Sequence, residues 1–374
     1  MSILTAHRER VACPSASACR VQRVSGQGEQ LSESRDYSLT GVSARSAVLN
    51  GLAQAQWYVC PVDRTVLKSL MRRRNGPAVR DTLIWLAALA ASGALAFHFR
   101  GHWTAIPFFA LYGVLYGSAS DSRWHECGHG TAFKTDWMNN AVYLIACVMM
   151  LREPMVWRWS HARHHTDTLV VGRDPEIANP RPVSFTGLLL DLFAIRTTAL
   201  ALRSLVIHTC GRLTPADRNL IAEADYPRVF RDARIGLSMI VGLIAVCVAG
   251  HSVLPALFVG LPTLYGAPLG VFFSTTQHAG LAENVLDHRR NCRTVYMNPA
   301  FRFLYWNMNY HLEHHLFPMV PFHSLRRLHE AIRVHLPPPY TSNWAAYREI
   351  LPALWRQRTD ADWFVERPMP RSVS

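Results

Sequence analysis

The string Trp306-Asn307-Met308-Asn309-Tyr310-His311-Leu312-Glu313-His314-His315-Leu316-Phe317-Pro318 sets three histidines at positions i, i+3 and i+4. On a helix those offsets share one side, so three imidazoles can turn toward one place. His161-Ala162-Arg163-His164-His165 repeats the spacing, and His125-Glu126-Cys127-Gly128-His129 carries a pair four residues apart. Eight of the chain's 18 histidines therefore fall in three clusters. A zinc site of four ligands cannot use eight imidazoles, whereas two octahedral metals can. Imidazole suits iron, copper, zinc and nickel alike, so the ligands alone leave the metal open.

The clusters follow apolar segments, and the segments predict a membrane protein. Residues 82–99 and 103–120 are each close to the ~20 residues that cross a bilayer core, with Arg100-Gly101-His102 as a turn between them. Residues 235–250 and 253–275 form a second pair around His251-Ser252. Arg72, Arg73, Arg74 and Arg80 precede the first span; Arg152, Arg158 and Arg163 follow the second. Arg228, Arg231 and Arg234 precede the third, and Arg289, Arg290 and Arg293 follow the fourth. The turns inside the pairs carry only Arg100, so the termini, the middle segment and all three clusters are expected in the cytoplasm. Residues 141–151 are too short to span. Residues 185–207 are long enough but hold Asp191, Arg196 and Arg203. Three such charges cost roughly 8–10 kcal/mol at a helix centre against roughly 4–7 returned, which predicts a helix lying on the membrane surface.

The expected fold is an all-α membrane protein: four transmembrane helices in two hairpins, with a cytosolic helical cap holding the metal site. Residues 1–46, rich in Ser, Arg, Gln and Gly, read as a disordered tail or an over-extended start. Residues 47–340 form the membrane domain and 341–374 a C-terminal cytosolic extension. No apolar segment near the start suits a signal peptide. The formal net charge of +13 comes without a basic run interleaved with aromatics, so no nucleic-acid partner is expected. The eight cysteines form no CxxC pair, which argues against a disulfide framework or an iron–sulfur site.

Together with the string at 306–318, the three clusters resemble the histidine boxes of the membrane fatty-acid desaturase and hydroxylase superfamily. The likeness runs from about Trp57 to about Leu336. Val171-Gly172-Arg173-Asp174-Pro175-Glu176 resembles the bacterial branch that includes rhizopine-catabolism oxygenases, which implies a bacterial inner membrane. The resemblance implies two iron ions held almost wholly by histidine, O2 as co-substrate, and a further ligand between the second and third boxes. His278 matches that ligand; His288, in what reads as a solvated turn, is the weaker alternative. The implied ligands are His125, His129, His161, His164, His165, His278, His311, His314 and His315, with no catalytic residue beyond them and no nucleotide cofactor.

Carboxylates should orient the rings by accepting the distal N–H. Glu126, Asp167 and Glu313 are nearest in sequence; Asp174, Glu176, Glu283 and Asp287 could fold back. The remaining histidines lack cluster spacing, and those beside the membrane are expected at its interface. Trp124, Trp157, Trp159 and Trp306 either wall an apolar channel or anchor the interface. The implied reaction inserts a double bond into an acyl chain or a smaller alkyl-bearing metabolite, with hydroxylation or oxidative demethylation as the near alternative. Electrons must come from a ferredoxin, rubredoxin or cytochrome with its reductase, and the Arg-rich face could steer an acidic carrier. A separate reading takes His125, Glu126 and His129 as the HExxH of a membrane zinc protease, which strands two boxes. A transporter or metal-binding membrane protein without enzymatic activity is the third.

Overall fold

A computed structural model describes residues 35–53 and 56–370. Among these residues the ordered structure is helical, and strand pairing is confined to two isolated bridges, Thr294 with Tyr310 and Val295 with Tyr340. Among the described residues, three stretches are long and apolar enough to cross a membrane: Arg64–His98, Glu223–Ala249 and Leu254–His278. In the Tyr226–Ala249 helix only Val229 and Ala233 are buried, while Ile235, Met239, Val241, Ile244, Val246 and Val248 are exposed. A helix apolar on every side needs lipid around it. The chain is an integral membrane protein.

The expected second span is helical but is not among the three. It runs from Ile106–Gly113 through a π turn, Val114–Ser118, into Ala119–Gly128. Its second half is walled in by protein: Leu115, Tyr116, Gly117, Ser118, Ala119 and Ser120 are all buried. Such a helix needs no continuous apolar surface, so its sequence tolerates Tyr, Gly and Ser. The fourth span is also broken. Leu254–Phe258, Pro262–Tyr265 and Ala267–His278 are separate helices, with Gly260 at φ 87° before Pro262.

These two irregular stretches are fitted to one another. A Cβ on Gly266 would fall 1.8 Å from the carbonyl oxygen of Gly113, and one on Gly117 would fall 2.7 Å from that of Pro262. Ser118 Oγ donates to the carbonyl oxygen of Gly266 and accepts from the N–H of Gly270, both at 2.6 Å. Small residues permit this backbone approach, as in many membrane helix pairs. The seam matters because one stretch delivers His125 and the other His278.

The segment at 185–207 is not a single surface helix. Phe185–Leu192 and Ile195–Thr209 meet at 76°, with Ala194 at φ 52° between them. Arg196 Nε reaches Asp191 across the bend at 3.0 Å, so two of the three charges neutralise each other. If the pair is one broken span, it is a fourth crossing.

Both ends of the described chain are held against the rest of it. Residues 1–34 lie outside the described residues, but 35–46 are not a loose tail. Val42–Leu49 is helical, and the Tyr37 hydroxyl donates to Glu283 at 3.0 Å. At the other end, Asn343–Arg356 packs into the body. Ala346, Ile350 and Leu354 share a core with Val183, Ala279 and Val295, and Tyr347 stacks on Phe272. Apolar residues at helical spacing, Ala346, Ile350, Ala353 and Leu354, bury one side of the helix and join this extension to the domain.

Candidate metal centre

Four helix ends deliver the site. His125 and His129 close the Ala119–Gly128 helix, and His161, His164 and His165 lie on Pro154–Asp167. His278 ends Ala267–His278, and the third box is the short helix His311–Leu316. Their ring nitrogens gather in two groups, each with all members within 4.8 Å of one another. The first is His125, His129, His161, His165 and His314; the second is His164, His278, His311 and His315. Both HxxHH boxes are split between the groups. Consecutive helical residues point about 100° apart, so His164 and His165 diverge, as do His314 and His315. One short box thereby serves two centres.

Within each group, rings face nitrogen to nitrogen. In the first, Nε2 of His161 lies 3.0 Å from that of His129 and 3.2 Å from that of His165, and His314 Nε2 lies 3.2 Å from His165 Nε2. In the second, His311 Nε2 is 2.9 Å from His278 Nε2 and 3.0 Å from His315 Nε2. Neutral imidazole has one donor and one acceptor nitrogen, so converging Nε2 atoms cannot all satisfy each other. Both ring nitrogens of His125 lack a protein partner, as does Nδ1 of His165, His311 and His314. Burial, reinforced by neighbouring rings, holds His125, His129, His165, His311, His314 and His315 well below the usual histidine pKa. They are therefore neutral, the form that binds metal.

The outer nitrogens are held by a second set of contacts. His161 Nδ1 is 3.0 Å from Glu176, and His164 Nδ1 is 2.9 Å from Asp174. His278 Nδ1 donates to the carbonyl oxygen of Asn291 at 2.7 Å. The Thr168 hydroxyl gives its proton to the His164 carbonyl oxygen, leaving its oxygen to accept from His315 Nδ1 at 3.2 Å. These contacts fix the tautomer with Nε2 facing inward. Burial presses His164 toward neutrality, but Asp174 more than offsets it and the pKa is raised to about 9. Burial alone would raise the Glu176 carboxyl; the His161 and His164 rings pull it down to about 2.

A family description, fatty acid desaturase, matches residues 101–347. The chain belongs to the fatty acid desaturase family. Over 77 residues it is 36% identical to an omega-6 fatty acid desaturase, endoplasmic reticulum isozyme 1, of Glycine max, covering 20% of each chain. It is 34% identical over 77 residues to a Delta(12)-acyl-lipid-desaturase of Punica granatum, again 20% of each. Similarity to a Delta(9) fatty acid conjugase-like enzyme of Dimorphotheca sinuata is 22% over 284 residues, 67% of this chain and 74% of that one. The chain spans about a fifth of the length of the first two of these relatives. The family is one of oxidoreductases, and the chain carries histidine clusters able to hold metal.

Against this family frame, the carboxylates are not arranged as sequence proximity suggests. Asp167 pairs with Arg173 at 3.0 Å and Arg163 at 3.5 Å, and Glu313 binds His329 and the Thr294 hydroxyl, so neither touches a box ring. The arginines hold Asp167, and His329 with Thr294 hold Glu313, away from the ring nitrogens. Asp174 and Glu176 take the role instead, brought back by a turn with Leu169 and Gly172 at φ 55° and 80°. Glu126 has a divided position. Its Oε2 accepts from the N–H of Phe322 at 2.9 Å, while Oε1 lies 3.6 Å from His314 Nδ1 and 3.8 Å from His125 Nδ1. Burial pushes this carboxyl up to about 8. Glu283 serves Arg35, Tyr37 and Arg181, and Asp287 serves Arg289.

Three histidines read differently in the fold. His288 is not a solvated turn residue: it is 5% exposed, roofed by Trp57, and grouped with Cys292 and His315. His208 is fully buried between Glu153 at 2.9 Å and Asp217 at 3.2 Å rather than at an interface, and His329 is buried against Glu313. Of the four tryptophans, Trp124 stands edge-on to His161 with centroids 5.3 Å apart, and Trp157 packs on Trp124. Trp306 stacks on Phe322, and Trp159 donates to Asp225.

Proposed function

We propose that the chain is an O2-dependent di-iron desaturase that inserts a carbon–carbon double bond into an acyl chain or a related alkyl-bearing metabolite. The observation that carries this is the sharing of two boxes between two largely buried imidazole groups, with inward nitrogens that lack enough protein partners. That donor set fits a pair of cations. His125, His129, His161, His165 and His314 would hold one, and His164, His278, His311 and His315 the other. Bound there, two iron ions supply O2 activation and the power to take hydrogen from an unactivated carbon.

The chain's own residues do the rest. Burial favours the neutral form of His125, His129, His165, His311, His314 and His315. Asp174, Glu176, Thr168 and the Asn291 carbonyl hold the outer nitrogens of His164, His161, His315 and His278 so that the inner ones converge. Trp124 and Trp157 cover the first group on one side. The Arg-rich segments flanking the apolar stretches favour a cytoplasmic site in a bacterial inner membrane, and an external carrier supplies electrons.

Two observations bear on other readings. The HExxH reading needs Glu126 free to act as base, yet its Oε2 holds a backbone N–H, and both its histidines share a group with three more. The 171–176 stretch, which supplies Asp174 and Glu176, resembles the rhizopine-oxygenase branch, and that resemblance is what favours a smaller substrate or a hydroxylation outcome as the second reading. Metal analysis and product mass spectrometry test the proposal. About two irons per chain and a product lacking two hydrogens support it; gain of one oxygen makes the enzyme a hydroxylase; zinc without iron refutes it.

A further inference from the structure

The nine-histidine reading leaves a tenth ring and its cover without a role. Trp57 is half-buried, and its indole lies parallel to the His288 ring, centroids 4.2 Å apart and planes 10° off. Its Nε1 donates at 3.0 Å to the carbonyl oxygen of Thr166, the residue after His165. On the other side, the His288 centroid is 5.1 Å from that of His315. Neighbouring rings, the first pair stacked and the second tilted by 44°, thus run from a partly exposed indole to a member of the second histidine group. Electron tunnelling falls exponentially with the gap between conjugated groups, and this line has no gap wider than ring contact.

The segments that adjoin the indole and His288 carry exposed cations and an apolar residue. Val59 is 81% exposed. Arg290, exposed on the same short helix as His288, makes no ion pair among the described residues, whereas the nearby Asp287 is neutralised by Arg289. From Trp57 the chain runs into helix Arg64–Leu70, which exposes Arg64 and Lys68 and packs on Leu325–Ile332, which exposes Arg326 and Arg327.

We propose that Trp57 and His288 form the port through which a small acidic one-electron carrier protein reduces the histidine centre, an inference that rests on the di-iron reading. The rings act as a bridge and are not themselves oxidised. Each turnover takes two electrons, one from each of two reduced carriers. With two protons and the two hydrogens lost by the substrate, they convert O2 to two waters. The basic surface gathers the carrier, and Val59 with the indole edge gives it a dry contact.

The test uses the full-length, iron-loaded chain in lipid nanodiscs under anaerobic conditions, with reduced plant-type [2Fe–2S] ferredoxin as probe. Metal analysis and the Mössbauer spectrum are taken first, then the rate of ferredoxin oxidation by stopped-flow absorbance. W57L is expected to keep its iron and spectrum while ferredoxin oxidation slows about tenfold or more, on the scale of docking and steering effects. W57F, which keeps a ring in the stack, should slow less, and R290E should lower both the rate and its salt dependence. Dithionite, which needs no docking surface, should still reduce W57L. An unchanged ferredoxin rate in W57L overturns the port, as does loss of its iron, which would make Trp57 structural. A wild type reduced by dithionite but not by ferredoxin also overturns it. A wild type without an iron pair sinks the di-iron reading itself, and the metal analysis reveals that before any rate is measured.

Discussion

Replacing Asp174 by Asn separates the charge of this carboxylate from its shape, and the surroundings say what should follow. Oδ1 accepts from the Glu176 N–H and Oδ2 from the Leu169 N–H, each at 2.8 Å, and both lie 2.9–3.0 Å from His164 Nδ1. An amide keeps one accepting oxygen. Whichever way it turns, its NH2 faces a backbone N–H, leaving a buried donor unpaired at about 1–3 kcal/mol. Loss of a ring-orienting partner also costs about 10–100-fold in metal affinity, or roughly 1.4–2.8 kcal/mol. The two effects are of one size, so both should be visible. Because His164 belongs to the group of four, the weakened iron should be the one bound there. Iron per chain and chelator competition would report affinity, and thermal unfolding in detergent would report stability. Asp167→Asn is the control, since Asp167 meets only Arg173 and Arg163, and it should bind iron almost as the wild type does. Two irons held with wild-type affinity in D174N, or an equal loss in D167N, would refute the assignment.

Other outcomes follow from single contacts. His314→Ala should abolish turnover and lose iron, because His314 closes the five-member group from the third box; a zinc protease using the first box would not notice. Gly266→Ala should cut folded yield sharply, since its Cβ would meet the Gly113 carbonyl oxygen, whereas Gly242→Ala, with nothing within 4 Å, should be tolerated. Size-exclusion profiles of the two variants in detergent would tell them apart. Arg123→Met should lower the unfolding midpoint. The buried guanidinium donates to carbonyl oxygens of Ala119, Phe303 and Leu304 at 2.6–3.1 Å, and a hydrogen bond from a charged group contributes about 1.5–3 kcal/mol. Arg123→Lys should recover part of that loss.

Much of this protein was legible in the sequence because its strongest signals are local. Box spacing is a property of one helical turn, and apolar length is a property of one segment. His278 could be matched because it stands at the end of such a segment. What failed were inferences that treated sequence neighbours as spatial neighbours. Asp167 and Glu313 are adjacent to the boxes yet point away, while Asp174 and Glu176 return from a turn. The surface helix at 185–207 became a bent pair because Asp191 and Arg196 meet across the break. Residues 103–120 fell short of a free span because the second half of the stretch is enclosed by protein.

The sequence by itself determined the all-helical membrane class, the family likeness and eight of the nine clustered histidines, since each depends on periodicity or length within a short window. Only the tertiary structure decided how the boxes divide into five and four, which carboxylates hold the rings, and that Trp57 roofs His288. Those facts depend on where four helix ends and two loops meet, and on backbones brought together through Gly113 and Gly266. Spacing along a chain carries no record of that meeting.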